Sequence, residues 1–316
     1  MKIQLLLAVC SLASALPKLQ APACTEIAQR VPWTNLTAEE SSGYIGADLC
    51  LINSPSKTNF SGAVSRWDDL QWPHVHQTSY VHGVGAFLPF HRYYMTVHER
   101  MIRHECGYTG RMPYWDEVAE VDDLLGSDLW TDANFGGDGE GEDDCIQTGP
   151  FANLTLRWEL NNGVEDHCLS RSFSQHQFSQ TAQTNIDRCN AIDDFSTARS
   201  CLEGSPHSAG HGGVALVIRY SICITRTSTS YGGSGRSWIR RTDSTICPDP
   251  SVDHAIVDYF NDNGTVTTLQ HTLYMDGIGE IAPNITINDI MDLNGPVICS
   301  DFEDKINDKD PETREQ

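Results

Sequence analysis

The chain has 316 residues, 39% of them hydrophobic, with 43 Asp and Glu against 21 Lys and Arg, for a formal net charge of −22. Nucleic acids and anionic membranes bind through neutralising Lys and Arg, so this balance argues against both as partners. It fits an acidic, soluble extracellular protein long enough for one large domain with a real core.

The first fifteen residues, MKIQLLLAVCSLASA, form a short basic start, an apolar stretch and an Ala13-Ser14-Ala15 ending. That is the pattern of a secretory signal peptide, too short to span a membrane, and it leaves residues 16–316 as the mature domain. No later apolar run is long enough for a transmembrane helix. Sequons at Asn35, Asn59, Asn153, Asn263 and Asn284 are open to N-glycosylation. Ten cysteines lie beyond the signal: Cys24, Cys50, Cys106, Cys145, Cys168, Cys189, Cys201, Cys223, Cys247 and Cys299. Their spacing lacks the tight C-x2-C pairs of zinc sites, so disulfides are expected, with a connectivity that sequence does not give.

From Cys24 to Arg66 the chain reads as a helical lead-in. Thr37-Ala-Glu-Glu40 is a capping box, followed by Tyr44, Ile45, Leu49 and Leu51 before the break at Asn53-Ser-Pro55. Ser65 to His82 then brings His74, His76 and His82 in quick succession. In HGVGAFLPFHRYYMTVHE, His82 to Glu99, Pro89 suits the first turn of a helix, where its missing N–H is not needed. Phe90, Tyr94, Val97, Met101 and Ile102 recur at helical spacing down to Glu105, and Gly107 stops the run. His91 therefore sits in the opening turn and faces back toward the loop that holds His82. By periodicity alone, a histidine near an apolar helix is more often a hydrogen-bonded core residue than a metal ligand.

The residue order says more. H-x4-F-L-x-F-H-R-x2-M-x3-E resembles, position by position, the first copper-binding signature of the tyrosinase family, which also includes catechol oxidases and hemocyanins. The continuation ECGYTGRMPYWD, Glu105 to Asp116, is similar to the fungal members. In the family the first ligand follows a Tyr/Trp-Asp-Asp pair and precedes Gln-Thr. The resemblance thus implies a first copper site, CuA, of His74, His82 and His91, with His76 as the alternative to His74. His98 and His104 are left as ordinary helix residues. Some tyrosinases link the second ligand by a thioether to a cysteine two residues earlier; that position is Tyr80 here, so no such link is expected.

Asp116 to Asp144 is Gly-rich and acidic; it lacks EF-hand spacing and reads as a solvated surface loop rather than a calcium site. FANLTLRWEL and DHCLSRSF, between Thr148 and Ala198, are similar to the fungal middle section, and His167 and His176 there have no ligand-spaced partners.

The second histidine cluster is GSPHSAGHGG, Gly204 to Gly213. Ser205 can cap a helix, Pro206 can open it, His207 and His211 share one face at i,i+4, and two glycines can end it. After a complete CuA signature, the pair resembles the first two ligands of the second site, CuB. The family continues with Asp-Pro-x-Phe and a His-x3-Asp that supplies the third ligand. This chain instead runs from Val214 to Cys247 with five arginines and a Ser/Thr run, and without any Asp or Glu before Asp243.

Codon degeneracy offers an account. Taking the third base of each codon with the first two of the next, Val217 to Ser237 can spell DPLFYLHHTYLDKLWWQWQE, the missing motif in its missing place. Residues from just after Val214 to about Cys247 thus read as out-of-frame sequence. Beyond them, Val257 to Ile278 and Pro283 to Gly295 are again similar to the fungal C-terminal end, and eight mature cysteines remain for pairing. His254 or His271 is the remaining source of a substitute third ligand.

The resemblance implies a mainly α fold, a four-helix bundle holding a binuclear copper site with long loops and little β structure. It implies two copper ions, a small phenolic substrate and O2, and a secreted oxidase that converts phenols or catechols to quinones. A second reading takes this exact chain as a catalytically dead or CuA-only copper-binding protein. A third, a zinc hydrolase built on His207 and His211, lacks the carboxylate of a His-Glu-x-x-His base, since Ser208 stands there.

Overall fold

In the computed structural model of the chain, residues 24–158, 163–214, 267–278 and 281–302 are described. After β1 (Ala28–Pro32), helix α1 (Ala38–Asn53) starts at the capping box read from sequence. Thr37 Oγ1 accepts the Glu40 N–H, and Glu40 Oε2 accepts the Thr37 N–H. A second capping box, Ser65 with Asp68, starts α2 (Arg66–His76), and the short α3 (Thr78–Val81) follows. The 20-residue α4 (Phe87–Cys106) holds Pro89 in its first turn and ends on Gly107 at φ 69°, a left-handed cap that glycine adopts without cost. Phe90, Tyr93, Val97, Met101 and Ile102 of α4 are buried with Tyr44, Ile45 and Leu51 of α1 and Trp67 and Leu70 of α2.

Two buried polar contacts fix these helices. Arg66 reaches from the start of α2 to Glu105 at the end of α4, with contacts of 2.6 and 2.9 Å, and also meets Asp69 at 2.5 Å. Removing one partner of such a buried pair strands the other, which costs far more than the intact pair contributes. His98 Nε2 on α4 lies 2.7 Å from Asp48 Oδ1 on α1, and Asp48 is fully buried. Burial raises the Asp48 pKa and the His98 contact opposes that rise.

The rest of the described chain wraps this unit. β2 (Met112–Tyr114) joins β1 and β9 (Ser300–Phe302) in a small parallel sheet. Antiparallel pairs form between β3 (Gly139–Glu140) and β4 (Cys145–Ile146), β5 (Thr155–Trp158) and β6 (Val164–Cys168), and β7 (Thr272–Leu273) and β8 (Ile285–Thr286). Between them lie α5 (Gln175–Phe178), α6 (Gln183–Asn190), α7 (Phe195–Leu202) and α8 (Ser208–Val214). The C-terminal segment is laced to α4: Arg92 donates to Ile290 O, Tyr93 OH to Pro283 O, and Arg100 to Ile281 O and Val297 O. Leu273, Met275, Ile278, Ile287 and Ile290 of that segment are core residues.

Four disulfides join the described cysteines: Cys24–Cys299, Cys50–Cys106, Cys145–Cys168 and Cys189–Cys201. These are the eight mature cysteines outside the segment read as out of frame. Among the described residues, no helix is long and apolar enough to cross a membrane. The fold is helix-rich with little sheet, as expected. The stretch read as a signal peptide, residues 215–247 and His254 all lie outside the described residues.

Candidate metal centre

Three elements deliver the first histidine group: α2 carries His74, the turn after α3 carries His82, and α4 carries His91. Their ligand nitrogens all lie within 4.8 Å of one another. His82 Nδ1 sits 3.0 Å from Thr78 O and His91 Nδ1 2.7 Å from Phe87 O. A carbonyl only accepts, so each Nδ1 carries the proton and donates it, which leaves Nε2 as the lone-pair atom. His91 Nε2 faces His74 Nε2 at 3.2 Å. Burial lowers the pKa of all three, with neighbouring imidazoles pushing His74 and His91 down further. Neutral imidazole is the form that binds metal.

His76 is outside this group. Its ring stacks on Trp72 at 4.2 Å, and Trp72 stacks on Phe60 at 4.0 Å. Of the two residues left open for the first ligand, the fold brings His74 to the other histidines.

The second group departs from its expected local structure. No helix opens at Ser205; the chain runs on from α7 through a π-helical turn, Glu203–His207, into α8. Pro206 offers no N–H to the turn, and Glu203 O accepts from the Ser208 N–H, five residues on, and from the Ser208 hydroxyl. Such turns recur at functional sites. Gly212 and Gly213 do not end the helix either. A Cβ on Gly213 would come 2.9 Å from Phe178 Cβ, and one on Gly212 2.0 Å from Gln177 Oε1, so these glycines let α8 lie close against α5.

His207 and His211 still share a face, with ring centroids 4.6 Å apart, and His207 lies 6.1 Å from His91. The Phe87 ring packs against both groups, 4.6 Å from His91 and 5.0 Å from His207. His207 is buried and its Nδ1 meets no hydrogen-bond partner among the described residues. Burial and the other imidazoles hold the His207 pKa well below 6.5, and burial takes His211 to about 4. Five neutral imidazoles at close quarters, His91 and His207 buried and His74, His82 and His211 half-buried, are a donor set suited to copper. His271 directly precedes β7, and its carbonyl accepts the Ile287 N–H.

Two residues with a place at the site were given no role from sequence. Phe87 belongs to the quoted signature, but only the fold sets it against both His91 and His207. Glu203 lies one helical turn before His207, and that i−4 spacing was the available clue; its carboxylate accepts from Gly83 N at 2.8 Å and from Arg199 Nη1 at 2.6 Å.

A helix-rich scaffold brings His74, His82 and His91 together as a candidate metal site, with His207 and His211 close by. Residues 64–237, more than half of the chain, match the common central domain of tyrosinase, and the chain belongs to that family. Tyrosinase-like protein phomQ1' of Diaporthe leptostromiformis is 37% identical over 165 residues, covering 48% of this chain and 43% of that protein. Tyrosinase P of Aspergillus terreus is 28% identical over 262 residues, covering 66% of this chain and 72% of that protein. A variant of polyphenol oxidase from Thermothelomyces thermophila has a similar fold, with a TM-score of 0.69 at 22% identity over 88% of this chain and 89% of its own. The chain spans less than half the length of the first of these relatives.

Proposed function

We propose that the correctly framed product of this gene is a secreted copper oxidase that converts phenols or catechols to quinones with O2. The observation that carries the reading is the His74, His82 and His91 group with the His207 and His211 pair beside it, His207 lying 6.1 Å from His91. A bound copper pair supplies the electron transfer that oxidises the phenol while O2 is reduced to water. The first three histidines would hold one ion, and His207 and His211 would contribute to the second.

The protein's own residues provide the rest. Thr78 O and Phe87 O hold the Nδ1 protons of His82 and His91 and so keep each Nε2 directed inward. The Arg66, Asp69 and Glu105 contacts fix α2 against α4, and with them His74 against His91. Phe87, fully buried, packs an apolar ring against His91 and His207. Secretion is supported by the leader-like start and the four disulfides. Catechol oxidation by the purified protein, with copper counted in the same sample, tests the reading; copper-free protein after copper exposure would refute it.

A second reading concerns the chain as written. No histidine stands between His211 and His254, so CuB has two ligands where the family has three. The buried packing of residues after Thr267, and the pairing of the eight other mature cysteines, support a frame change confined to the intervening segment. On this reading the written chain holds copper at CuA alone and does not turn over. Sequencing the transcript across codons 214–247 decides the frame, and an in-frame match to the written protein would sink it.

A further inference from the structure

Glu203 occupies a place between the two histidine groups that the ligand assignment does not use. It lies on the π-helical turn that ends at His207, and Oε1 crosses to the loop of the first group, accepting the Gly83 N–H at 2.8 Å over a sequence separation of 120 residues. Gly83 directly follows His82 and has φ 70°, a backbone state that favours glycine. Oε2 meets Arg199 Nη1 at 2.6 Å, and the side chains of Arg199 and Glu203 are only 6% and 15% exposed. The carboxylate is therefore held from its own helix by a buried guanidinium while it grips a backbone amide beside a histidine of the opposite group.

We infer that Glu203 is a positioning residue that braces the His82 loop against the His207 turn, setting the distance between the two histidine groups. The inference rests on the copper reading for its consequence, but the brace itself is a property of the metal-free chain. One elementary point supports it: two groups from different parts of a chain hold a common geometry only if something other than the metal joins them. Phe87 joins them by packing, which resists approach but does little against sliding. The Glu203 contact is directional and charge-assisted, and so fixes register.

The test uses the full chain with three variants: E203A, E203Q and R111A. Amide hydrogen exchange at Gly83 is followed in metal-free protein, and Cu(II) alone is then titrated. In E203A, Gly83 exchange is expected to accelerate and Cu(II) affinity to fall roughly tenfold to a hundredfold, the usual cost of losing an outer partner of a metal site. E203Q keeps an oxygen for the Gly83 N–H, so it should retain protection and most of the affinity. R111A loses the Glu40 pair, far along the sequence from either group, and should change neither readout. Wild-type exchange and affinity in E203A would overturn the brace. Equal losses in E203A and R111A would also overturn it, because they would mark general loosening. If the wild-type chain takes up no copper, the copper reading fails, while Gly83 exchange still judges the brace.

Discussion

His74 and His91 point their Nε2 atoms at each other across 3.2 Å, one from the last turn of α2 and the other from the second turn of α4. Two neutral imidazole nitrogens at that range share a proton or a metal, and the His91 proton is committed to Phe87 O. Replacing His91 by Ala should remove copper from the first group. Metal analysis of the purified variant should show the loss, and full copper retention would mean His91 is not a ligand.

Arg66 is 1% exposed and faces Asp69 and Glu105, themselves nearly buried. Arg66→Ala leaves Asp69 to Ser56, Thr58 and the Lys57 N–H and Glu105 to the Lys57 side chain, and the lost charged hydrogen bonds should cost about 1.5–3 kcal/mol. Urea unfolding of the metal-free protein measures it, and an unchanged midpoint would show that α2 and α4 are held by apolar packing alone.

The Glu40 pKa is lowered from 4.5 to about 2, chiefly by its hydrogen bond from Arg111, then by the Thr37 N–H. Between those values the unfolded chain binds the proton that the folded chain refuses, so the stabilisation is present above pH 4.5 and is lost as pH falls through about 2. Arg111→Ala should flatten this part of the stability profile. Denaturation midpoints at a series of acidic pH values would show it, and a parallel profile for the variant would contradict the assignment.

Cys50–Cys106 ties the end of α1 to the end of α4 across 56 residues of sequence. Replacing both cysteines by Ala should destabilise the fold by about 2–4 kcal/mol through the freed unfolded chain. Chemical denaturation of the double variant is the check. A loss confined to copper binding, with stability intact, would contradict a structural role.

The parts of this molecule that were legible in its sequence are those set by local order. The Thr37 capping box, the Gly107 stop and the His82 to Glu99 signature each depend on residues a few positions apart, and each has its place in the fold. The cluster at Gly204 to Gly213 was misread locally because Pro206 and the two glycines have two uses. A proline suits a helix start but also a π turn, and a glycine ends helices but also admits close packing, here against Phe178 and Gln177. Only the neighbours decide, and α5 is 30 residues earlier. The Cys pairings and the Glu203 contact with Gly83 were hidden for the same reason, being set by long-range packing.

The most direct measurement is copper content together with catechol turnover for two purified proteins: the chain as written, and the same chain with residues 214–247 restored to the alternative frame. The account predicts one copper and no turnover for the first, and two coppers with quinone formation for the second. Two coppers and turnover from the chain as written would contradict the incomplete second site. No copper in either protein would contradict the metal centre itself.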